Sequence, residues 1–400
     1  MKKVLFVAYG SGHVRMVVPV AKALAQTGAV RVQILALTTA APITRAAGLE
    51  TLQFKDFVTQ ADVGALEHGR RLMAEMREPP DDPAETIAYL GLSYAELVED
   101  VGAQEAERLY RREGRQAFLP VRTLRRILAK LAPQLVIATN SPRGERAAIV
   151  AARSLALPSI CLVDLFCLDE VKWIGAPDYA DRICVLNDSV RQFLINTGRD
   201  PAQVVVTGNP AFDELGHPEH ETAGRTLRQG MQWSGKHVLL WPMQVEPAYH
   251  PFNGKPGNTD LPEKALAAVM AWVLSRDDAV LCVRPRAGEA APSLPDDRRI
   301  VLTGQNFSLP DLLYAIDIVV TLNSTVGLEG HLAGARVVQV LGSVFDDAMP
   351  LLDYGMADAA VAVDGVGVAL DRCKGLPRRL SGNHLGSARN AVLKVVSGFL

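Results

Sequence analysis

The fold of this chain is decided by residues 321–335, which read Thr-Leu-Asn-Ser-Thr-Val-Gly-Leu-Glu-Gly-His-Leu-Ala-Gly-Ala. The mostly apolar residues before the turn (316–320) are typical of a buried strand, and the spacing after it is typical of a helix. A strand, a turn and a helix in this order form the repeating unit of an α/β sheet. The first turn of such a helix presents backbone N–H groups and a positive dipole end, which favour an anion.

The small hydroxylated turn in this stretch has two interpretations. Ser324 and Thr325 are expected at or near the N-cap, where a hydroxyl can cap the helix or contact a phosphate. Glu329 follows about one helical turn later, and its carboxylate suits the hydroxyls of a ribose better than a phosphate. The alternative is an ordinary capped helix with Glu329 in solvent, and the stretch alone leaves both open.

The composition bounds the class of protein. The chain has 400 residues, of which 48% are hydrophobic and 22% charged, as expected for a globular protein with material for two cores. A net charge of −2 gives no electrostatic reason to expect nucleic acid as a partner. The five cysteines form no Cys-x-x-Cys pair, which indicates reduced thiols. No apolar run has the length of a membrane span or a signal peptide, so we expect a cytoplasmic protein.

The loop after the first predicted strand reads Tyr-Gly-Ser-Gly-His at residues 9–13. A dinucleotide-binding fingerprint needs a third glycine where this chain has Arg15, so that motif fails. A glycine such as Gly12 lets the loop pass close to a ligand, and ligands of open α/β sheets bind at the carboxyl ends of the strands. His13 is therefore expected near that edge. Asp164 ends a later strand and is expected at the same edge, with helix capping as the alternative.

The alternation of strands and helices is interrupted at about residues 60–130, which are rich in Glu, Arg and Ala and predict a helical insertion. The end of this insertion, 108–130, carries many arginines between apolar residues at helical spacing. Such a helix can lie on an anionic membrane, although a solvated protein face is the commoner outcome. Peripheral contact at the inner membrane face therefore stays open.

The whole pattern predicts an α/β protein of two domains. The expected parts are a first domain with the insertion (1–215), a polar link (216–236), a second domain (237–385) and a C-terminal helix (386–400). Within the second domain, Arg284 and Arg286 follow a predicted strand, and their guanidinium forks can hold a diphosphate. Surface ion pairs are the alternative for these two arginines. No Asp-x-Asp lies in a suitable strand-end loop, so we expect chemistry without a metal.

Four motifs now stand in order along the chain. They are the glycine loop with His13, Val-Thr-Gly-Asn-Pro-x-x-Asp at 206–213, Leu-Tyr-Ala-Ile-Asp at 313–317, and Ser-Thr-Val-Gly-Leu-Glu-Gly-x-x-x-Gly at 324–334. In this order they resemble glycosyltransferases of the GT-B fold, near the surface-polysaccharide glycosyltransferases and the non-hydrolysing UDP-N-acetylglucosamine 2-epimerases. The resemblance spans both halves of the chain, but not the insertion or the loop at 245–262.

The resemblance implies two Rossmann-like domains facing across a cleft, with the C-terminal helix crossing back to the first. The resemblance implies His13 as a catalytic base or an acceptor contact, with a structural or substrate-binding role as the alternative. Asp164 is the second candidate base, or the partner that orients His13. Together with Gly12, Arg284 and Arg286, which were inferred above from their positions, the residues expected in nucleotide-sugar binding are Asn209, Asn306, Phe307, Ser324, Thr325, Val326, Gly327 and Glu329. Of these, 324–327 are expected on the diphosphate, Glu329 on the ribose, and 306–307 near the base.

The chain departs from the epimerases at several motifs. Where they carry a His-Arg-Arg-Glu-Asn type segment, this chain reads Trp-Pro-Met-Gln-Val-Glu at 241–246, and their Ser-Gly-Gly turn becomes Ser-Thr-Val. We therefore expect a glycosyltransferase that moves a sugar from a nucleotide-sugar donor, with UDP as the expected nucleotide, to a polysaccharide, lipid or small-molecule acceptor. It is expected to need no metal and no separate cofactor. An epimerase-like or nucleotide-sugar hydrolase activity is the alternative, and a non-catalytic binding protein is a third class. A homodimer is also considered.

Overall fold

The computed structural model describes residues 1–400 except 11, 77, 251–253, 287–291, 305–306 and 380–384. The chain forms two compact units, of which one is Met1–Ala211 together with Ser387–Leu400 and the other is Phe212–Gly386. Each unit is built on one parallel sheet. Short 3-10 helices span Thr38–Ala40, Phe54–Phe57, Gln60–Asp62, Gly114–Ala117, Pro210–Gly216 and Val363–Gly365.

The first unit contains a seven-stranded parallel sheet. Its strands are β1 (Lys2–Ala8), β2 (Val30–Ala36), β3 (Glu50–Leu52), β4 (Leu135–Thr139), β5 (Ser159–Leu162), β6 (Arg182–Val185) and β7 (Val204–Val206). Their order is β3-β2-β1-β4-β5-β6-β7. Strand β1 lies inside the sheet, with β2 and β3 added on one side of it and β4 to β7 on the other. Strands β1 and β4 are apolar runs with their interiors fully buried, because helices cover both faces of a parallel sheet.

The described residues of the first unit form a series of helices before the second unit begins. They are α1 (Gly12–Gln26), α2 (Ala41–Ala46), α3 (Val63–Ala74), α4 (Pro83–Val101), α5 (Ala103–Glu113), α6 (Val121–Leu131), α7 (Gly144–Ser154), α8 (Val171–Ile174) and α9 (Asp188–Asn196). The predicted helical insertion corresponds to α3–α6. Helix α4 begins where expected from its sequence, since Asp82 caps the N–H of Glu85 at 3.1 Å and Pro83 occupies the first turn.

The arginine-rich end of the insertion carries its own counter-charges. Arg122 pairs with Asp100 at 2.7 Å, and Arg126 pairs with Asp62 at 2.8 Å. The apolar face of α6, with Leu124 and Leu128, is buried. These contacts favour the solvated protein face over a membrane-binding face. Among the described residues, no helix combines the length and the hydropathy that a membrane span requires.

Helices α3 and α4 cross at two glycines, and this crossing predicts a large loss of stability for Gly69→Ala. A Cβ at Gly69 would lie 2.0 Å from the carbonyl oxygen of Ile87, and one at Gly91 would lie 2.3 Å from that of Ala65. The helices would have to separate, at a cost of about 1–3 kcal/mol. We expect a Tm lower by roughly 5 °C in calorimetry.

Gly64→Ala is the matched control for this test. Gly64 lies in the same helix, and a Cβ there would meet nothing within 4 Å. Alanine has the higher helix propensity, so this variant should be as stable as the wild type or more so. A Gly69→Ala protein that melts with the wild type would show that the helices are not in close contact there.

The second unit contains a six-stranded parallel sheet. Its strands are β8 (His237–Pro242), β9 (Ala279–Arg284), β10 (Ile300–Leu302), β11 (Ile318–Thr321), β12 (Arg336–Val340) and β13 (Ala359–Val361), in the order β10-β9-β8-β11-β12-β13. Its helices are α10 (Pro218–Gly230), α11 (Leu261–Leu274), α12 (Leu309–Ala315), α13 (Thr325–Leu332) and α14 (Val366–Lys374). The carboxyl ends of β9, β8, β11 and β12 therefore lie side by side at one edge.

The prediction that residues 216–236 form a link between the domains is wrong. It carries α10, which packs on α12 within the second unit. Gly224 is a residue type that often interrupts helices, but here it lies inside α10 where that helix packs closely on α12. A Cβ at Gly224 would lie 2.6 Å from Cβ of Tyr314. The polar face of α10 was the source of the error.

The last helix, α15 (Ala388–Ser397), belongs to the first unit. Val392 and Val396 are fully buried in the same core as Val14 and Val17 of α1. The chain thus returns to its first unit after completing the second.

Candidate functional site

The backbone of the turn between β11 and α13 is hydrogen-bonded by side chains, among them those of Ser324 and Gln244. Ser324 is the N-cap of α13, and its hydroxyl accepts from the N–H of Val326 at 3.2 Å. The side-chain oxygen of Gln244 accepts from the N–H groups of Leu322 (3.1 Å), Asn323 (2.9 Å) and Ser324 (2.9 Å). The backbone donors of this turn therefore converge on one point.

A buried polar network supports the same turn from β12. The side chain of Asn323 donates to the hydroxyl of Ser343 at 2.8 Å, and that hydroxyl donates to Glu246 at 2.7 Å. The second carboxyl oxygen of Glu246 accepts from the N–H of Val344 at 2.7 Å, so each oxygen of this buried group has a hydrogen-bond partner. The sequence analysis predicted no role for Gln244 or Glu246. The one feature that could have pointed to them as site residues was their position shortly after a strand.

Arg284, Phe307 and Glu329 come together at the same edge of the second sheet. Arg284 is the last residue of β9, and it donates to the carbonyl oxygen of Phe307 at 2.9 Å. Burial lowers the pKa of Arg284, and the carboxylate of Glu329 opposes that shift through its charge. A half-buried guanidinium beside a carboxylate can hold a phosphate on one side and leave the carboxylate for hydroxyl groups.

The other predicted residues of this unit occupy different surroundings. Thr325 and Arg286 are exposed, and Val326 is half-buried. Gly327 is buried, and a Cβ there would lie 2.7 Å from Cγ2 of Thr321, so helix packing on β11 already requires a glycine. Asn306 lies outside the described residues.

In the first unit, the structure brings His13 and Asp164 to one edge of the sheet. His13 is the second residue of α1, which follows β1, and its Nε2 lies 3.9 Å from Oδ2 of Asp164. Both side chains are partly exposed, at 21% and 27%. The other carboxylate oxygen of Asp164 accepts from the side chain of Asn140 at 2.9 Å and from the N–H of Leu165 at 2.8 Å. Asp164 is thus fixed in orientation, with one oxygen left toward the imidazole.

Two residues predicted to bind the nucleotide sugar also lie in this unit. Asn209 is buried, donates to the carbonyl oxygen of Asp164 at 2.9 Å and accepts from the N–H of Ala211 at 2.9 Å. Its contacts brace the loops at this edge. Gly12 has nothing within 4 Å of a Cβ position, whereas a Cβ at Gly10 would lie 1.9 Å from the hydroxyl of Thr39. The glycine that close packing requires is therefore Gly10.

Two carboxyl groups that the sequence analysis missed lie near His13. Glu145 is fully buried in the first turn of α7, and one of its oxygens accepts from the N–H of Tyr9 at 2.6 Å. Burial raises the pKa of Glu145, and the nearby imidazole of His13 lowers it. Burial also raises the pKa of Glu170 to about 7. Glu145 follows β4 after a Pro-Arg-Gly turn, which was the available signal for it.

Several buried polar atoms near Glu145 have no hydrogen-bond partner among the described residues. They include Oε2 of Glu145, Nδ1 of His13, the hydroxyl of Tyr89 and Nε of Arg143. The charge of Arg143 acts on Tyr89 and Glu145, and its guanidinium lies 4.7 Å from the ring centre of Tyr9. Buried polar atoms are normally satisfied by water or a ligand, so this edge is suited to a polar group of a substrate.

The burial of Glu145 predicts a pH-dependent stability. A carboxyl group whose pKa is raised on folding stabilises the native state fully below its unfolded pKa, near 4.5, and that contribution is lost as the pH rises toward the folded pKa. Glu145→Gln removes this titration and keeps an acceptor for Tyr9. We expect the free energy of unfolding of the variant to rise relative to that of the wild type above pH 4.5, by at most about 1.4 kcal/mol per pH unit, and its Tm to rise relative to the wild type with it.

The exposed residue Glu67 offers the control for this measurement. Glu67→Gln should shift the Tm equally at pH 4.5, 6 and 8. Parallel curves for Glu145→Gln and the wild type would show that Glu145 is ionised in the native state throughout this range.

Comparisons with known proteins were made for the whole chain. No protein-family model matches it, and no curated protein is similar to it in sequence. Among solved structures, S. aureus MnaA with UDP is 12% identical with a TM-score of 0.60, over 100% of this chain and 98% of that one. The UDP-GlcNAc 2-epimerase of Neisseria meningitidis bound to UDP-GlcNAc is 10% identical with a TM-score of 0.59, over 99% and 100%. The glycotransferase of kitacinnamycin is 12% identical with a TM-score of 0.56, over 100% and 99%.

These likenesses establish the fold. The chain has the two-domain α/β architecture of the GT-B type, shared by UDP-GlcNAc 2-epimerases and glycosyltransferases, and the expected fold class is confirmed.

Proposed function

We propose that this chain is a glycosyltransferase that moves a sugar from a nucleotide-sugar donor, UDP-linked, to a carbohydrate, lipid-linked or small-molecule acceptor. The observation that carries the proposal is that the groups suited to bind an anion lie in one unit and the groups suited to move a proton lie in the other. The second unit presents converging backbone N–H groups together with Arg284, whose pKa is influenced by the charge of Glu329, and the first unit presents an imidazole beside an oriented carboxylate. The shared fold of UDP-binding proteins supports the choice of nucleotide.

The second unit is assigned to the donor. The N–H groups at the start of α13 and the guanidinium of Arg284 favour the negative charge that grows on the diphosphate as the sugar departs. Glu329 is assigned to the ribose hydroxyls, and the loop at Phe307 to the base. Because the protein supplies these positive groups itself, the proposed transfer needs no metal.

The first unit is assigned to the acceptor. In an inverting transfer a base removes the proton of the acceptor hydroxyl while its oxygen attacks the anomeric carbon. His13 is the proposed base. Asp164, fixed by Asn140, lies close enough to Nε2 to stabilise the imidazolium that forms. Glu145 fixes the loop before His13 through the N–H of Tyr9.

An epimerase-like or hydrolytic activity is the second candidate. The observation that favours it is the group of carboxyls around His13, since Asp164 and Glu170, which are not fully buried, could move protons on the sugar itself. The solved epimerases that share the fold add to it.

The experiment begins with the donor. Thermal shift against UDP, GDP, CDP and dTDP sugars selects the nucleotide, and UDP conjugates are expected to stabilise the protein most. UDP-GlcNAc is then followed by NMR without an acceptor. A transferase leaves it intact until an acceptor panel is added, whereas a manno-epimer, or free sugar with UDP, assigns the second candidate. Binding without turnover in any arm would make the chain a binding protein.

A further inference from the structure

The oxygen of Gln244 occupies a position that suits an anion better than an amide. Besides the three backbone N–H groups of residues 322–324, it accepts from the hydroxyl of Thr321 at 3.0 Å. A carbonyl oxygen has two lone pairs, and here it has four donors. Successive N–H groups that converge form a nest, a concave site with a preference for negatively charged oxygen. The neutral side chain of Gln244 therefore occupies a position in which a negatively charged oxygen would form stronger hydrogen bonds.

The turn keeps its shape through contacts that do not involve Gln244. The carbonyl oxygen of Leu322 accepts from the side chain of Gln339 at 3.1 Å, which turns the following N–H toward the nest. Gln339 is fully buried and is itself held by the carbonyl oxygen of Met349 at 2.7 Å and the N–H of Leu351 at 3.0 Å. The N–H of Asn323, one donor of the nest, is thus oriented from the opposite side of the backbone.

Apart from its bonds to the nest, the side chain of Gln244 has one hydrogen bond among those of the described residues. Its Nε2 donates to the carbonyl oxygen of Pro242 at 3.0 Å, two residues earlier. Gln244 lies after the end of β8, outside the sheet ladder, and is only half-buried. Rotation of this one side chain would free the N–H groups of Leu322 and Asn323 and the hydroxyl of Thr321. The N–H of Ser324 would keep a second acceptor, the hydroxyl of Thr321 at 3.1 Å.

We propose that Gln244 is a positioning residue of the donor site, whose side-chain oxygen stands in for a phosphoryl oxygen and is exchanged for it when a nucleoside diphosphate binds. The inference rests on the proposed function, since it takes the donor's diphosphate as the ligand. Hydrogen bonds to a charged oxygen are roughly twice as strong as those to a neutral one, so the exchange is favourable. Before binding, Gln244 keeps the buried donors of the turn satisfied.

The test compares two variants of Gln244 that are close to it in size. Calorimetric affinities are measured for UDP, uridine and inorganic pyrophosphate. In Gln244→Glu a carboxylate occupies the nest, so UDP and pyrophosphate should bind about 10- to 100-fold more weakly. Uridine, which has no phosphate, should bind as it does to the wild type. In Gln244→Met the competing oxygen is gone, so UDP and pyrophosphate should bind as tightly as in the wild type or up to about tenfold more tightly.

Gln339→Met serves as the control for a damaged turn, with a lower Tm and weaker binding of UDP. The proposal is overturned if Gln244→Glu binds UDP like the wild type, or if Gln244→Met weakens UDP as Gln339→Met does. Should the Glu variant fail to fold, the Met variant alone decides. A wild type that binds pyrophosphate but not UDP would refute the UDP donor and leave the nest in place. A wild type that binds neither would refute both proposals.

Discussion

Replacing His13 by alanine is expected to lower kcat by about 100- to 10,000-fold, the usual contribution of a positioned general base. The reason is that His13 is the imidazole at the carboxyl edge of the first sheet, with Asp164 at 3.9 Å and the buried carboxyl of Glu145 nearby. The donor is assigned to the other unit, so the affinity for UDP should stay within about twofold. Turnover is measured by release of UDP with a saturating acceptor, and affinity by calorimetry.

The exposed residue His217 is the control for this loss, since it lies on the second unit, where its side chain is near Glu214, Glu219 and the ring of His220. His217→Ala should keep the wild-type rate. A second variant, Asp164→Asn, keeps the contacts to Asn140 but removes the charge beside the imidazole, and it should lose less than His13→Ala. Near wild-type turnover in His13→Ala would remove this residue from the mechanism.

Replacing Glu329 by alanine is expected to weaken the binding of UDP about 10- to 100-fold, since hydrogen bonds to a charged group contribute about 1.5–3 kcal/mol. The same change leaves Arg284 without the carboxylate that balances its charge, which can favour the diphosphate and mask part of the loss. A comparison of UDP with 2′-deoxy-UDP separates the two effects. The wild type should discriminate between them, and the variant should not.

Glu329→Gln provides the matched control, because it keeps the length of the side chain and one acceptor oxygen. It should retain part of the discrimination between the two nucleotides. If Glu329→Ala prefers UDP over 2′-deoxy-UDP by the wild-type ratio, the ribose contact is refuted, whatever the change in overall affinity.

Most of the strands could be predicted from the sequence, because buried parallel strands are short apolar runs ended by Gly, Ser, Asn or Asp. For the same reason His13, Asp164 and Ser324 could be placed at strand ends. The three-residue strands β3 and β13 were not predicted, since none of their residues is fully buried. The prediction failed at residues 216–236, where a polar helix with Gly224 looked like a link. Local composition does not distinguish a glycine that ends a helix from one that lets two helices touch.

Other residues of the site depended on partners far away in sequence. Glu145 lies more than a hundred positions from Tyr9 and His13, and Gln244 nearly eighty from the turn it contacts. A glutamate or glutamine after a strand is common, and nothing in its immediate neighbours shows which backbone it will meet.

The sequence by itself determined that this chain forms two parallel α/β units, since hydrophobic periodicity and strand-end residues are local properties of the chain. It also determined which loops lie at the carboxyl edges of the two sheets. Only the tertiary structure decided that the backbone N–H groups of the turn between β11 and α13 bind the oxygen of Gln244. It also decided that a fully buried Glu145 lies near His13. Burial and hydrogen-bond partners arise from contacts between distant segments, and those contacts set the charge and the donors that a site can offer.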